Sequence, residues 1–140
     1  MSALAEFRPG LAGALASRGL TVATWGSGGR RSANLLVVST KPKPSVLYVK
    51  EFNVPGRRGF WGLTHNQVDR LEAVAQRWFA VFLLRSSSSG YVLTGSQVLH
   101  RVQSGAFELS GDGDFKVNEE TDLAPPQHFA SLGDLIARIL

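Results

Sequence analysis

Two apolar segments joined through a helical pattern constrain this fold more than any other feature of the sequence. Val46–Phe52 and Phe79–Leu84 are predicted strands, and the second is apolar throughout. Between them, Val68 and Leu71 belong to the apolar stripe of a predicted helix. Two strands that are joined through a helix in one sheet are expected to be parallel, because a right-handed crossover packs the helix back onto the sheet. The sequence therefore predicts an α/β fold that contains a parallel strand pair.

The segments on either side extend this pair into a small mixed sheet flanked by helices. Leu4–Arg18 is predicted as a helix that ends at Gly19, with Pro9 placed to split or delay it. Leu35–Ser39 is apolar on both faces, which predicts a central strand. The other predicted elements are strands at Leu20–Trp25, Tyr91–Leu93, Phe107–Leu109 and Phe115–Val117, a hairpin loop at Ser86–Ser89 and a last helix capped by Ser131. We expect one domain over residues 1–140, with the hairpin and helix from about residue 105 as a C-terminal addition.

Composition narrows the class of protein further. The chain has 140 residues, of which 44% are hydrophobic and 19% charged, as in ordinary globular domains. It has no cysteine, which excludes disulfides and thiolate metal sites and fits a reducing compartment. Its apolar runs are all shorter than the ~20 residues of a membrane helix, and its first residues do not resemble a signal peptide. We therefore expect a cytoplasmic protein without a membrane partner.

Basic side chains are concentrated in the middle of the chain, and acidic side chains dominate its end. Against the single acid Glu51, the middle segment carries Arg30, Arg31, Lys41, Lys43, Lys50, Arg57 and Arg58. Such a segment suits nucleic acid, because each phosphate that it neutralises releases condensed counterions. The alternative interpretation is a solvated surface of loops.

A set of short motifs in a fixed order points to one superfamily. From about Leu11 to Leu99 the chain shows a helix that ends in Gly19-Leu20, the strand Thr21–Trp25 with a Gly/Ser/Arg loop, the segments Ala33–Val38 and Val46–Lys50, a helix over Leu63–Arg77 and the strand Phe79–Leu84. This order resembles the PD-(D/E)XK nucleases, and in pattern the archaeal Holliday junction resolvases. The resemblance implies a restriction-endonuclease-like fold, DNA, including branched DNA, as the partner, and a homodimer. The last thirty-five residues lie outside it.

The same resemblance implies a metal site whose carboxylates are missing here. Such nucleases place an Asp near the first motif strand, and a Glu or Asp two residues before a Lys on the next. Those three positions are occupied by Asn34, Tyr48 and Lys50, which would be the catalytic set. Residues i and i+2 share a strand face, so Tyr48 and Lys50 are expected side by side. An active enzyme would need Mg²⁺, which favours carboxylate oxygens, whereas Asn34 offers only an amide and Tyr48 a phenol that is neutral near pH 7.

Other acids are candidates to replace the missing carboxylates. Glu6 lies on the first helix, where the resemblance also implies a glutamate near the metal, so Glu6 and Asn34 are the metal-ligand candidates. Glu51 is next to Lys50 but is expected on the opposite strand face. Asp112 and Asp114 form a D-x-D pattern in a glycine-rich turn, where the ordinary role is turn formation.

Some polar and aromatic residues have two interpretations. Gln67 is either the polar residue that related nucleases carry on the helix after the lysine strand, or the partner of Thr64 in a capping box. Trp61 is assigned to the loop Gly56–Gly62, beside Arg57 and Arg58, where it could stack on exposed bases. The alternative for Lys50 is an edge lysine with its ammonium in water.

Three functions remain open on the sequence. The first is a nucleic-acid-binding protein with nuclease ancestry and weak or lost cleavage. The second is an active Mg²⁺-dependent endonuclease or junction resolvase with a relocated acid such as Glu6. The third is a protein-interaction or regulatory module on the same fold. The ancestry requires that residues 34 and 48–50 lie on neighbouring strands and face a common cleft.

Overall fold

The structure of the protein, a computed structural model, describes residues 2–26 and 34–140. Over these ranges the helices are α1 (Ala3–Ala16), α2 (His65–Val74), α3 (Gly95–Gln103), α4 (Glu119–Asp122) and α5 (Leu132–Ile139). The strands are β1 (Val22–Thr24), β2 (Leu35–Val38), β3 (Ser45–Phe52), β4 (Phe60–Thr64), β5 (Trp78–Leu84), β6 (Gly90–Thr94), β7 (Glu108–Leu109), β8 (Asp114–Asn118) and β9 (His128–Phe129). Of the described helices, none is long and apolar enough to cross a membrane.

The strands form two sheets, of which the larger has the order β1-β2-β3-β5-β6-β9. At its centre β3 and β5 are parallel, and their paired residues run from Val46 opposite Trp78 to Phe52 opposite Leu84. The other pairs are antiparallel. The parallel pair joined through a helix is thus confirmed, and β2 is an interior strand as predicted.

Both faces of the large sheet are covered, which explains its long apolar strands. On one face, Leu47 and Val49 pack with α1 and α5 through residues such as Phe7 and Ile136. On the other face, the alternate residues of β3 and β5 pack with α2, α3 and the second sheet. A fully buried aliphatic or aromatic side chain contributes about 1.5–3 kcal/mol, so these two interfaces hold the layers together.

Helix α1 is continuous through Pro9, contrary to the expected split or delay. Its N-cap is Ser2, whose hydroxyl accepts a hydrogen bond from the Ala5 N–H at 3.1 Å. Phe7, Leu11 and Leu15 are fully buried against the large sheet. Their burial outweighs the roughly 3 kcal/mol that an interior proline costs a helix.

The second sheet, with strand order β4-β8-β7, differs from the sequence-based expectation. The hairpin of β7 and β8 is confirmed. Strand β8 also pairs with β4, so the hairpin is part of the core and not a separate C-terminal addition. The segment assigned to the loop Gly56–Gly62 contains the start of β4. Two glycines beside Phe60 and Trp61 suggested a loop, whereas the pairing with β8 supplies the backbone hydrogen bonds of a strand.

A matched pair of glycine substitutions tests this packing. A Cβ built on Gly90 would lie 1.9 Å from the Phe82 carbonyl oxygen, whereas a Cβ on Gly13 in α1 meets no atom within 4 Å among the described residues. We expect Gly90→Ala to lower the free energy of unfolding by about 2–3 kcal/mol, because β5 and β6 must separate. We expect Gly13→Ala to raise it by about 0.5–1 kcal/mol through helix propensity. Urea denaturation of both variants measures this, and equal effects would contradict the β5–β6 register.

Candidate nucleic-acid interface

Strands β2 and β3 are neighbours, as the nuclease resemblance requires. They are antiparallel, and the residue directly opposite Tyr48 is Leu35. Asn34 lies in the turn just before β2, and its carbonyl oxygen accepts a hydrogen bond from the Val49 N–H at 2.8 Å. The register therefore sets Asn34 level with Val49, not directly across from Tyr48 or Lys50.

Tyr48 has a structural role at the position where the resemblance implies a carboxylate. Its side chain is 2% exposed, and its hydroxyl oxygen accepts a hydrogen bond from the Thr64 N–H at 3.2 Å. Thr64 is the N-cap of α2 and makes no side-chain capping bond. The expected capping box of Thr64 and Gln67 is therefore wrong: the backbone N–H that the Gln67 side chain would need is already bonded to Tyr48.

Lys50 lies on the same strand face as Tyr48, as the i and i+2 spacing predicts. Its ammonium is 5.8 Å from the centre of the Tyr48 ring, and the residue is half-buried. The ion pairs of the described residues do not include Lys50. The ammonium therefore lies beside an aromatic ring without a carboxylate partner among the described residues, which is a good arrangement for an anionic ligand.

The replacement acids are placed elsewhere. Glu51 faces α1, as expected, and its carboxylate accepts a hydrogen bond from the Leu4 N–H at 2.6 Å. Glu6 is exposed and lines a cavity of about 410 Å³ together with Asn53 and Arg85, without Lys50.

The D-x-D pattern has the ordinary turn role. The Asp112 carboxylate accepts hydrogen bonds from the ammonium of Lys116, the hydroxyl of Ser110 and the N–H of Asp114. These contacts, that of Lys116 first, hold the pKa of Asp112 well below its usual range, with a small opposing effect of burial. The carboxylate is thus committed to the hairpin of β7 and β8.

The residues at the positions where the resemblance implies metal ligands do not fit a magnesium ion. Mg²⁺ gives up its water reluctantly and is bound through one or two carboxylates, whereas Asn34 and Tyr48 are neutral. Moreover, the Tyr48 oxygen is already hydrogen-bonded to Thr64. Among residues 2–26 and 34–140, no three His, Asp or Glu side chains are grouped so that they could hold a metal ion.

A second cation, which sequence reasoning missed, lies on the same face of the sheet. The guanidinium of Arg70 in α2 is 4.7 Å from the centre of the Trp25 ring. Trp25 follows β1, and its N–H donates to the Leu35 carbonyl at 3.0 Å. Since Leu35 is also the partner of Tyr48, Trp25, Leu35 and Tyr48 form one row across the sheet. The sequence feature that could have identified Arg70 is its position three residues after Gln67, which puts both residues on one side of α2.

We define the cationic face as Trp25, Tyr48, Lys50, Gln67 and Arg70. Apart from the buried Tyr48, its members are all half-buried. Like Lys50, Arg70 has no carboxylate partner in the part of the chain that the structure describes.

The members of the predicted basic set that the structure describes do not form one continuous patch. Lys41 and Lys43 are exposed before the start of β3, whereas Arg57 and Arg58 are exposed after its end. An eight-residue strand spans about 25 Å, so the two pairs lie at opposite ends of the sheet. Arg30 and Arg31 lie outside the described residues.

The loop that carries Arg57 and Arg58 is held by acidic residues. The Arg58 guanidinium is 2.6 Å from the Glu120 carboxylate, so much of its charge is already compensated. The Gly59 N–H donates to Glu119 at 2.7 Å, and the Tyr91 hydroxyl donates to the other Glu119 oxygen at 2.8 Å. Burial and then the bond to Glu119 raise the pKa of Tyr91 to about 12. For Glu119, burial opposes ionisation, but the bonds from Gly59 and Tyr91 and the nearby arginines together lower its pKa.

The expectation that Trp61 stacks on bases is wrong. Trp61 lies on β4 and is 2% exposed. Its indole N–H donates to the Leu83 carbonyl at 3.2 Å, and its ring packs against Phe52, Phe82 and Tyr91. An aromatic next to arginines in sequence is here part of the core, because strand alternation directs it inward.

The element order and both sheets together define a restriction-endonuclease-like fold, as predicted. The chain aligns with the solved structure of Hjc, a Holliday junction resolvase from the archaeal hyperthermophile Archaeoglobus fulgidus. The TM-score is 0.58, with 13% identity over 94% of this chain and 98% of that chain. The likeness therefore extends into the C-terminal residues that the sequence pattern left unmatched. Neither a protein-family model nor a curated protein matches this sequence.

The structural role of Tyr48 is testable by stability. Tyr48→Phe removes the acceptor of the Thr64 N–H, and we expect the free energy of unfolding to fall by about 1 kcal/mol. Gln67→Ala is the control, since Gln67 does not complete a capping box in the native protein, and we expect a change within about 0.5 kcal/mol. A loss for Gln67→Ala that equals the loss for Tyr48→Phe would favour the capping box instead.

The Tyr91–Glu119 contact predicts a loss of stability at alkaline pH. An unfolded chain releases the Tyr91 proton near its ordinary pKa of 10.0, whereas the folded chain keeps it until about 12. Between these values the folded state binds more protons, so the stability from this contact is present below pH 10 and is lost as pH rises to 12. Urea denaturation across this window is expected to show a shallower decline for Tyr91→Phe. Identical declines in both proteins would contradict the assignment.

Proposed function

We propose that this protein binds the phosphate backbone of nucleic acid through the cationic face of a nuclease fold and has lost metal-dependent cleavage. The observation that supports it best is the pair Tyr48 and Lys50. The lysine of the nuclease pattern is retained beside the sheet with its charge uncompensated by a described carboxylate. The position two residues earlier, where the nuclease pattern has an acid, holds a phenol that is hydrogen-bonded to the N-cap residue of α2.

The charge of the motif lysine and the lack of charge at motif positions 34 and 48 explain why we expect DNA binding without DNA cleavage. A lysine ammonium attracts a phosphodiester directly and needs no metal for that contact. Cleavage in such nucleases needs a metal ion, and a metal ion needs carboxylates, which positions 34 and 48 do not supply. The same fold therefore supports a binding protein more readily than an enzyme.

Branched DNA is the ligand that we propose first. Hjc, whose fold this chain shares, is described as a Holliday junction resolvase. Arg57 follows the end of β3 that is nearer to Lys50. It has no ion pair among the described side chains. We assign Arg57 a supporting contact with the DNA. Lys41 and Lys43 lie at the other end of β3, about 25 Å away, and we place them outside the primary DNA contact.

Binding and cleavage can be measured on one set of labelled oligonucleotides. We expect the native protein to bind a four-way junction and the linear duplex of the same sequence with an affinity that falls steeply with salt. Incubation in Mg²⁺ or Mn²⁺ is expected to leave both DNAs intact. Lys50→Gln is expected to weaken binding by roughly tenfold, because a charged hydrogen bond to phosphate is lost.

Lys116→Gln is the matched control for Lys50→Gln. It removes the same charge, but Lys116 is paired with Asp112 at 2.7 Å, so its charge is not available to DNA. Metal-dependent cleavage that Lys50→Ala abolishes would favour an active enzyme with a relocated acid. Absence of binding to DNA and RNA at low salt would favour a protein-interaction module.

A further inference from the structure

We infer that Arg70, stacked on Trp25, is a second phosphate-binding residue, and that Arg70 and Lys50 bind separate phosphodiesters of one nucleic-acid ligand. The inference rests on the proposed function and extends it to a residue outside the nuclease motif. It comes from the juxtaposition of two cations, each beside an aromatic ring, on one face of the sheet.

The register fixes the distance between the two aromatic supports. Trp25 is bonded to Leu35, and Leu35 is the partner of Tyr48, so the supports are two strands apart. Strands in a sheet are about 4.8 Å apart, which separates the supports by about 10 Å. Phosphates recur about every 3.4 Å of helix axis along a DNA strand, so two cations whose supports are about 10 Å apart can each contact a phosphate of its own.

The environment of Arg70 leaves its hydrogen-bond donors available. Three other described arginines use theirs within the protein: Arg77 donates to the carbonyl oxygens of Ile139 and Leu140, Arg85 donates to that of Arg57, and Arg138 pairs with Asp134. Arg70 instead contacts a ring face, which orients the planar guanidinium without consuming its N–H groups. An arginine held in this way loses less rotamer freedom when it binds a phosphate.

Gln67 lies on the same helix as Arg70 and is half-buried. It lies three residues before Arg70 on α2, at the N-terminal end whose N-cap residue is bonded to Tyr48. The first turn of α2 carries no acidic side chain, so no carboxylate there repels a phosphate. An amide side chain can hydrogen-bond a phosphate or sugar oxygen, so we include Gln67 as a supporting residue of the inferred contact.

The salt dependence of DNA affinity tests this inference, because it counts phosphate contacts. We expect Arg70→Gln to weaken four-way junction binding by roughly tenfold and to reduce the slope of log K against log salt by about 0.9. The variant with both Lys50→Gln and Arg70→Gln is expected to reduce the slope by about 1.8. Trp25→Leu keeps the charge and removes its support, so affinity is expected to fall while the slope stays the same.

Arg101→Gln is the matched control. Arg101 is also a half-buried helix arginine, and its guanidinium is 6.0 Å from the Phe107 ring, but it lies on α3, beside β5 and β6. We expect this variant to bind like the native protein, and melting temperatures of all variants verify that each is folded.

The outcomes separate this inference from the proposed function. If Lys50→Gln weakens binding but Arg70→Gln behaves like Arg101→Gln, the role of Arg70 is overturned and the proposed function stands. If the native protein binds neither junction nor duplex at low salt, the proposed function fails, and the inference with it.

Discussion

The parallel pairing of β3 and β5 is the constraint on which the rest of the structure depends. These strands lie at the centre of the large sheet, and every residue of β5 from Trp78 to Leu83 is buried. Because both faces of the pair must be covered, α1 and α5 pack on one side, and α2, α3 and the second sheet pack on the other. The pairing also fixes the direction of β3, and so places Tyr48 and Lys50 on the α2 side and Glu51 on the α1 side.

Tyr48 has a structural role between the large sheet and α2. Its phenol oxygen accepts a hydrogen bond from the Thr64 N–H and joins β3 to the start of α2. The same contact removes the N–H that a capping box would use. The ammonium of Lys50 lies beside the Tyr48 ring and is not paired with an acid among the described residues. Among the described residues, neither Lys50 nor Arg70 on this face forms an ion pair with a carboxylate.

Much of the fold was predictable, because it depends on apolar periodicity. The central strands, α1, α2, α5 and the hairpin of β7 and β8 follow from the sequence within a few residues. No helix was predicted at the position of α3. Its N-terminus carries a capping box of Thr94 and Gln97, the same motif that the sequence suggested for Thr64 and Gln67. The two patterns are the same in sequence, and only the contact of Tyr48 with Thr64 distinguishes them.

The sequence by itself determined the α/β class, the parallel pair and the neutral side chains at positions 34 and 48, since these depend on residue type and local periodicity. Only the tertiary structure decided that Trp61 is core and that Trp25 supports Arg70, because these contacts join residues 22 and 45 positions apart along the chain. It also decided that Lys41 and Lys43 lie at one end of β3 and Arg57 and Arg58 at the other. Contacts of this kind depend on strand order and register, which long-range packing selects and short-range patterns do not encode.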